Sequence, residues 1–184
     1  AFDRYAQIRE NFTIDDKNRV LKSINLNPEQ RSYVHCTTNI HPLTAYMKKV
    51  NRIFDTKVRD FLYEQGVTQF AFEAASDLGL KLVVKPHPGE EYNYNFTVEL
   101  AKRHVFTFIP AKTCNTLDLL LAADSVTAGK STVILEATLL DKNTGAFLPD
   151  VKEEDLEPFP PIMVNAIPYA RTWEEIKNVL QMVT

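Results

Sequence analysis

Cysteine is scarce in this chain, which has only two, Cys36 and Cys114, among 184 residues. They lack the paired spacing of a zinc site, and two cysteines are too few for a disulfide scaffold. We therefore expect two reduced, structural thiols, as in a protein of the cytoplasm.

The chain also lacks a surplus of positive charge and any long apolar run. Its 21 Lys and Arg are outnumbered by 24 Asp and Glu, which gives a net charge of -3. A protein that binds nucleic-acid backbones needs clustered basic residues, so we expect no nucleic-acid partner. No apolar stretch is long enough to span a bilayer and no signal-peptide pattern occurs, so we also expect no membrane span.

The composition is that of a globular protein, with 45% hydrophobic and 24% charged residues, and the length fits one domain. Residues 1–20 are polar and only weakly patterned, and the chain does not begin with Met. We interpret residues 1–30 as a linker between domains or as the segment leading into this one. Residues 31–184 are then one domain of a longer protein.

Strand and helix patterns alternate along that domain. Runs rich in β-branched and apolar residues predict strands at 32–38, 82–84, 105–109, 125–127, 145–148 and 162–166. Helical spacing predicts helices at 55–78, divided at Gly66, and then at 96–103, after the N-cap Asn115, and at 133–140. The alternation predicts a Rossmann-like α/β fold, a parallel sheet with helices on both faces.

The last helix is predicted from a capping box, Thr172 with Glu175 three residues later. Its apolar residues recur on one side, which we expect to pack on the sheet. They are Trp173, Ile176, Val179 and Leu180.

Two loops after predicted strands carry residues suited to anions. In a parallel sheet, ligands collect beyond the carboxyl ends of the strands. Gly129, Lys130, Ser131 and Thr132 join a strand to a helix, so they present two hydroxyls and backbone N–H groups at a positive helix end. Glu136, one turn further, lies at a depth suited to a ribose. An ordinary capped helix start is the competing interpretation.

The same GKST segment invites comparison with the Walker A pattern of P-loop NTPases. That pattern requires a glycine five residues before Gly129, where this chain has Asp124. A short strand is also predicted where the phosphate loop would have to lie. Both features argue against a P-loop NTPase.

The second loop, KPHPGEE, holds His87 between two prolines that stiffen the backbone. A rigidly held imidazole can bond a phosphate oxygen or stabilise charge on a departing phosphate, so His87 is the candidate catalytic residue. Lys85 precedes it at the end of the strand and adds positive charge. A lone histidine can also be merely structural or solvated.

These motifs together resemble a known family. VVKPHPGE, followed by DLLLAADSVTAGKSTVILEATLLDK, resembles the C-terminal domain of GT-B glycosyltransferases of bacterial surface polysaccharide synthesis. The pattern is similar to the HP and Ser/Thr motifs of sialyl-, polysialyl- and Kdo-transferases. CDP-glycerol glycerophosphotransferases and UDP-N-acetylglucosamine 2-epimerases have a similar layout. The opening AFDRYAQ resembles the stretch that enters this domain in such enzymes.

The resemblance implies roles for individual residues. His87 contacts the donor phosphate, Ser131 and Thr132 hold phosphate, and Glu136 binds the ribose. Backbone groups of Ile109, Pro110 and Ala111 line the base pocket. The substrate is a nucleotide-activated sugar or alcohol, with no bound prosthetic group. An acceptor-binding N-terminal domain or subunit carries the general base, so this chain alone binds donor without turnover.

The sequence departs from the patterns of two of these families. It therefore does not determine whether the donor is linked to CMP, CDP or UDP. The epimerases have a double glycine where this chain has Thr132 and Val133, and the glycerophosphotransferases have an Asp-x-Ser-Ser pattern that is lacking here. Two alternatives remain: half of an epimerase-like enzyme, or a non-catalytic module that binds a nucleotide-sugar or a partner.

Other residues are weaker candidates. His35, His41 and His104 have no Cys, Asp or Glu at ligand spacing, so we expect no metal site. The acidic segment 152–157 is expected to be a solvated surface, although the FPPIMV stretch after it could approach the donor. Tyr92 and Tyr94 could stack on a base, but exposed tyrosines are common in polar loops.

Overall fold

The structure, a computed structural model, describes residues 2–38, 54–88, 95–149 and 167–184. Its centre is one sheet of six parallel strands in the order β3-β2-β1-β4-β5-β6. The strands are β1 (Tyr33–Cys36), β2 (Leu82–Lys85), β3 (Thr107–Phe108), β4 (Ser125–Ala128), β5 (Asn143–Phe147) and β6 (Tyr169–Ala170). This is the Rossmann order, in which the chain reverses direction across the sheet between β1 and β4.

Seven helices of the described ranges surround this sheet. They are α1 (Phe2–Asn11), α2 (Ile14–Ser23), α3 (Phe54–Asp77), α4 (Asn95–His104), α5 (Thr116–Ala122), α6 (Val133–Leu139) and α7 (Glu175–Val183). Within the ranges described, no helix is long and apolar enough to cross a membrane.

Successive residues of the central strands point to opposite faces of the sheet, and each face has its own core. Val83 of β2 belongs to the cluster that includes α5 and α6 residues, whereas Leu82 and Val84 belong to the cluster with α3, α4 and α7. The prediction of a Rossmann-like parallel sheet with helices on both faces is therefore confirmed.

Several details differ from the sequence prediction. The strand predicted at 105–109 is reduced to Thr107 and Phe108, and the two-residue β6 was not predicted. The strand predicted at 162–166 lies outside the described residues.

The predicted division of the third helix at Gly66 is wrong, because α3 runs unbroken through it. The glycine instead lies against Trp173. A Cβ placed at residue 66 would come within 3.1 Å of the indole Cη2 atom. Close packing of α3 against Trp173, in the turn before the last helix, and not a break in α3, accounts for this glycine.

The N-terminal segment contains two helices that its weak pattern did not predict. A capping box starts α2: Asp16 N donates to the Thr13 hydroxyl at 3.2 Å, and Thr13 N donates to the Asp16 carboxylate at 3.0 Å. Val20 and Leu21 are buried, and α2 packs on α5. The segment is thus packed on the domain, while its role as a linker stays a prediction.

The last helix begins later than predicted, at Glu175 and not near Thr172. Half of the expected capping box is present, since the Glu175 carboxylate accepts from the backbone N–H of Thr172 at 3.3 Å. It also accepts from Arg171 N at 2.6 Å, while Glu174, the residue at the cap, makes no side-chain cap bond. Ile176, Val179 and Leu180 are buried as predicted, and Trp173 is half-buried.

Candidate functional site

Three strands place the predicted site loops along one edge of the sheet. The last residue of β1, Cys36, pairs with Lys85 of β2 on one side and with Ala128 of β4 on the other. Neighbouring strands lie about 4.8 Å apart, so the loops after β2 and β4 start about 10 Å from each other. They flank the end of β1, at the point where the strand order reverses and where Rossmann-like sheets bind ligands.

The loop that carries His87 is tied to the end of β1. Thr37 N donates to the carbonyl of Lys85 at 3.0 Å, and His87 N donates to the Thr37 hydroxyl at 3.3 Å. Thr37 is buried and His87 is half-buried. The backbone of His87 is therefore fixed at this edge. That its imidazole meets the loop after β4 stays a prediction.

The loop after β4 leads into a helix, as expected for a phosphate site. Gly129 is buried, Lys130 is exposed, and α6 starts at Val133. The Ser131 hydroxyl accepts from Val133 N at 3.4 Å. Thr132 has helical backbone angles, φ -63° and ψ -17°, and its exposed side chain makes no cap bond.

The Walker A alternative conflicts with this geometry. The four residues between Asp124 and Gly129 form β4, so they cannot wrap a phosphate. The Asp124 carboxylate lies at the amino end of β4, where it accepts from Ser32 N and Lys17 Nζ, both at 2.8 Å. Asp124 and Gly129, which occupy the two glycine positions of the Walker A pattern, thus lie at opposite edges of the sheet.

Glu136 lies in α6, half-buried and close to the end of β1. Burial raises the pKa of the Cys36 thiol to about 12; the Glu136 charge raises that pKa as well, while Lys85 opposes both. Glu136 therefore lies within electrostatic range of Cys36, the last residue of β1. Its expected bond to a ribose stays a prediction.

The loop after β3 is held by Lys85, which is 3% exposed. The Lys85 ammonium donates to three backbone carbonyls of that loop, Ala111 at 2.7 Å, Cys114 at 2.8 Å and Pro110 at 3.3 Å. Burial lowers the pKa of Lys85, while Cys114 and Cys36 oppose that shift. The geometry gives Lys85 a bracing role, and direct contact with a ligand stays a prediction.

Two other features complete this loop. Ile109 is buried and its N–H donates to the Val84 carbonyl at 2.9 Å, which extends the β2–β3 pairing by one residue. Asn115 caps α5 as predicted, since its side chain accepts from Leu117 N at 2.8 Å. The segment expected to line a base pocket is therefore fixed at both ends.

The sequence analysis did not foresee the bracing role of Lys85. The available signal was a lysine that ends the otherwise apolar run Leu82–Val84, in a strand buried along its whole length. A charge in such a place requires partners. The sequence could not identify those partners, which lie 25 to 29 residues further along the chain.

The remaining candidates lie elsewhere. His35 is buried in the core, and His104 stacks on Phe106 with ring centroids 5.5 Å apart. In the ranges that the structure describes, no three His, Cys, Asp or Glu side chains group as metal ligands do. The other weak candidates lie outside those ranges. They are His41, Tyr92, Tyr94, the acidic segment 152–157 and the FPPIMV stretch.

A groove of about 590 Å³ lies between α1, α2 and α5. Arg4 and Arg19 line it together with Asp16 and Asp118, so its charges balance. None of the predicted site residues lines it. The groove is therefore a separate feature from the edge at β1, β2 and β4.

No protein-family model and no curated protein matches the chain. Among solved structures, the fold is similar to ADP-heptose lps heptosyltransferase II of E. coli, with TM-score 0.53 and 10% identity over 92% of this chain and 51% of that one. It is also similar to the β Kdo 2,4 transferase KpsC of Thermosulfurimonas dismutans, with TM-score 0.51 and 16% identity over 92% and 54%.

The chain spans about half the length of the solved structures it matches. Because identities are this low, the likeness establishes the fold and not the reaction. The six-stranded parallel sheet flanked by helices is thus the fold of about half of a GT-B glycosyltransferase.

Proposed function

We propose that this chain is the donor-nucleotide-binding half of a GT-B glycosyltransferase of surface polysaccharide synthesis. One observation carries the proposal: the loops after β2 and β4, chosen from the sequence for their anion-binding residues, flank the end of β1 where the strand order reverses. Ligands of Rossmann-like sheets bind at that point. The similarity in fold to two sugar transferases supports it.

In this proposal the residues after β2, β3 and β4 bind different parts of the donor. His87 donates a hydrogen bond to a phosphate oxygen, and the hydroxyls of Ser131 and Thr132 with nearby backbone N–H groups hold the phosphate. Glu136 accepts from the ribose hydroxyls. The backbone at Ile109, Pro110 and Ala111 lines the base pocket, while Gly129 lets the chain approach the ligand and Lys130 contributes positive charge.

The transfer step follows from these positions. The bond between the sugar carbon and the phosphate oxygen breaks, and its electron pair stays on the departing phosphate, where His87 stabilises the charge. The acceptor oxygen forms the new bond to the sugar. Its proton goes to a general base in the acceptor-binding domain or subunit, so the present chain binds donor and does not complete the reaction.

The identity of the nucleotide is open within this proposal. The sequence patterns left CMP-, CDP- and UDP-linked donors, and the similarity to a transferase of ADP-heptose adds ADP. A nucleotide-activated alcohol, as in glycerophosphotransferases, presents the same phosphates to the same loops. A non-catalytic module of the same fold would bind these nucleotides too, and only an assay with the acceptor-binding part distinguishes it.

The first test is a thermal-shift panel of CMP, CDP, UDP and ADP on the whole chain. A ligand that binds only the folded state raises Tm in proportion to the logarithm of its concentration above Kd. We expect at least one nucleotide to raise Tm, with a Kd then measured by calorimetry. If none does, the proposed function is wrong.

The second test replaces His87 by Ala. Loss of a hydrogen bond to a charged group should weaken the binding of the best nucleotide by about 1.5–3 kcal/mol, and leave the free energy of unfolding little changed. Ser131→Ala should weaken binding less, because backbone N–H groups and Thr132 remain. His104→Ala is the matched control, since His104 is also half-buried but precedes β3 at the opposite edge.

A further inference from the structure

The ammonium of Lys85 donates hydrogen bonds into the loop after β3. An ammonium group has three N–H donors, and Lys85 directs bonds to the carbonyls of Pro110, Ala111 and Cys114. The Pro110 carbonyl also accepts from Thr113 N at 3.0 Å, which closes a turn. The conformation of residues 110–114 is therefore fixed by one side chain from the neighbouring strand.

The direction of each carbonyl also determines the direction of the N–H group in the same peptide unit. Peptide bonds are planar, and all those described here are trans, so each N–H points away from the carbonyl of the preceding residue. The carbonyls of Pro110 and Ala111 face the ammonium. The N–H groups of Ala111 and Lys112 consequently point to the other side of the loop.

A stabilising role alone does not require a charge at residue 85. Burying an ammonium is costly, and an apolar side chain would fill the end of a buried strand without that cost. What an apolar side chain cannot do is hold three carbonyls at once. The three bonds of Lys85 therefore fix the direction of the carbonyls in this loop.

We infer that Lys85 is a positioning residue for base recognition: it turns the peptide unit 110–111 so that the N–H donor of Ala111 faces the nucleotide base. The matching ligand feature is a ring nitrogen or carbonyl oxygen that accepts hydrogen bonds. This inference rests on the proposed function, because it assigns the loop after β3 to the base of the bound donor. In this role Lys85 acts through the loop and needs no contact of its own with the ligand.

The test compares ligands with and without a base. Lys85→Met keeps the length of the side chain and removes the ammonium. We expect it to weaken the best nucleotide of the panel by about tenfold or more, the equivalent of one lost hydrogen bond. Binding of ribose 5-phosphate, which has the ribose and phosphate but no base, should change by less than about twofold.

The matched control is Lys142→Met. Lys142 is half-buried, its ammonium also donates to a backbone carbonyl, that of Leu121 at 2.7 Å, and burial lowers its pKa too. It lies outside the proposed site. Removing its charge should leave the ratio of nucleotide to ribose 5-phosphate affinity unchanged. Lys85→Arg keeps the charge and the donors, and should restore part of the nucleotide affinity.

Two measurements keep the inference testable if Lys85→Met does not fold. Amide hydrogen exchange over residues 109–115 should be faster in Lys85→Arg than in the original chain, because a planar guanidinium fits three carbonyls less well. Among analogues of the best nucleotide that lack one accepting group of the base, either a ring nitrogen replaced by C–H or a carbonyl oxygen replaced by hydrogen, at least one should bind the original chain about tenfold more weakly.

The outcomes separate this inference from the proposed function. If no nucleotide binds the original chain, the proposed function fails and the inference fails with it. If nucleotides bind but Lys85→Met weakens nucleotide and ribose 5-phosphate equally, or weakens neither, the inference alone is overturned. Undiminished affinity for every analogue that lacks an accepting nitrogen or oxygen of the base has the same consequence.

Discussion

The imidazole Nδ1 of His35 lies 3.1 Å from the hydroxyl oxygen of Thr127, and the two residues are register partners on β1 and β4. The ring stacks on Phe147 at a centroid distance of 5.7 Å and meets Phe72 edge-on at 5.8 Å. His35 is only 1% exposed. Burial lowers its pKa to about 4, so the histidine at the centre of the sheet is neutral at physiological pH.

This histidine should make the fold sensitive to acid. Its pKa in the folded chain, about 4, lies below the ordinary value of 6.5, so the unfolded chain takes up the proton first. Stability from this group is complete above pH 6.5 and falls as the pH drops towards 4, by up to about 3 kcal/mol. Urea denaturation at pH 7.5 and 4.5 measures the loss.

His35→Asn is the control, because its amide can still bond the Thr127 hydroxyl but does not titrate. The variant should be less stable at pH 7.5 and should lose less stability between the two pH values. An equal loss in both proteins would assign the acid sensitivity to carboxylates elsewhere.

The glycine of β5, Gly145, lies against the side of the last helix. A Cβ at residue 145 would come within 2.7 Å of Val179 Cγ1 and 3.4 Å of Val183 Cγ1. Since real Cβ atoms do not approach so closely, Gly145→Ala should push the helix away and cost about 1–3 kcal/mol of unfolding free energy.

A double-mutant cycle tests that contact. Val179→Ala alone leaves a cavity and should also destabilise, by about 1–3 kcal/mol. The two changes together should cost clearly less than their sum, because the smaller side chain makes room for the new methyl group. Additive losses, measured by chemical denaturation, would show that the methyl group at 145 acts through something other than Val179.

Much of the fold could be predicted because its signals are local. β2 and β4 are short segments that are buried along their whole length, and the Asn115 cap is encoded within three residues. β3 and β6 have two residues each, too few to form a pattern. Gly66 was misinterpreted because its partner, Trp173, is distant in sequence.

The candidate site, like the fold, could be predicted only where its signals are local in the sequence. The loops after β2 and β4 were identified from residues next to each other in the sequence, and the parallel sheet brings them to one edge. The link between Lys85 and the loop after β3 depends on strand order, which periodicity does not reveal. The sequence identified Lys85 as a positive charge at the end of β2, but its carbonyl partners could not be foreseen.

The last helix should be a required part of the core. Four of its side chains are buried, and each contributes about 1.5–3 kcal/mol, so together they are comparable with the whole stability of a small domain. They are Ile176, Val179, Leu180 and Val183. Leu180→Ala should cost about 2–5 kcal/mol.

Met182 provides the comparison on the same helix, because 73% of it is exposed. Met182→Ala should change the free energy of unfolding by no more than about 0.5 kcal/mol. Proteolysis near Trp173 should abolish the cooperative unfolding transition. A cleaved chain that still melts cooperatively without this helix would contradict the assignment.

Nucleotide binding should not require a divalent ion held by the protein. In the proposed site His87, Ser131 and Thr132 hold the phosphate, and the GKST loop has no carboxylate that could bind an ion beside it. The Kd of the best nucleotide monophosphate should agree within about twofold in EDTA and in Mg²⁺. Calorimetry in the two buffers checks this, and affinity that disappears in EDTA and returns with Mg²⁺ would refute it.

Glu136 should recognise the ribose and not the phosphate. It lies in the first turn of α6, near enough to the end of β1 to raise the pKa of Cys36. A carboxylate so placed accepts hydrogen bonds from hydroxyls, whereas it repels a phosphate. Glu136→Gln should therefore weaken ribonucleotide binding by about tenfold, since a hydrogen bond to a charged group is lost.

The 2′,3′-dideoxy form of the same nucleotide makes this prediction specific. It lacks both ribose hydroxyls, so it should bind the original chain more weakly, and Glu136→Gln should not weaken it further. Glu99→Gln, on the exposed surface of α4 where Glu99 pairs with Lys102, should affect neither ligand. If Glu136→Gln weakens both nucleotides equally, the carboxylate maintains the structure of the site edge, and the ribose must be bound by other residues.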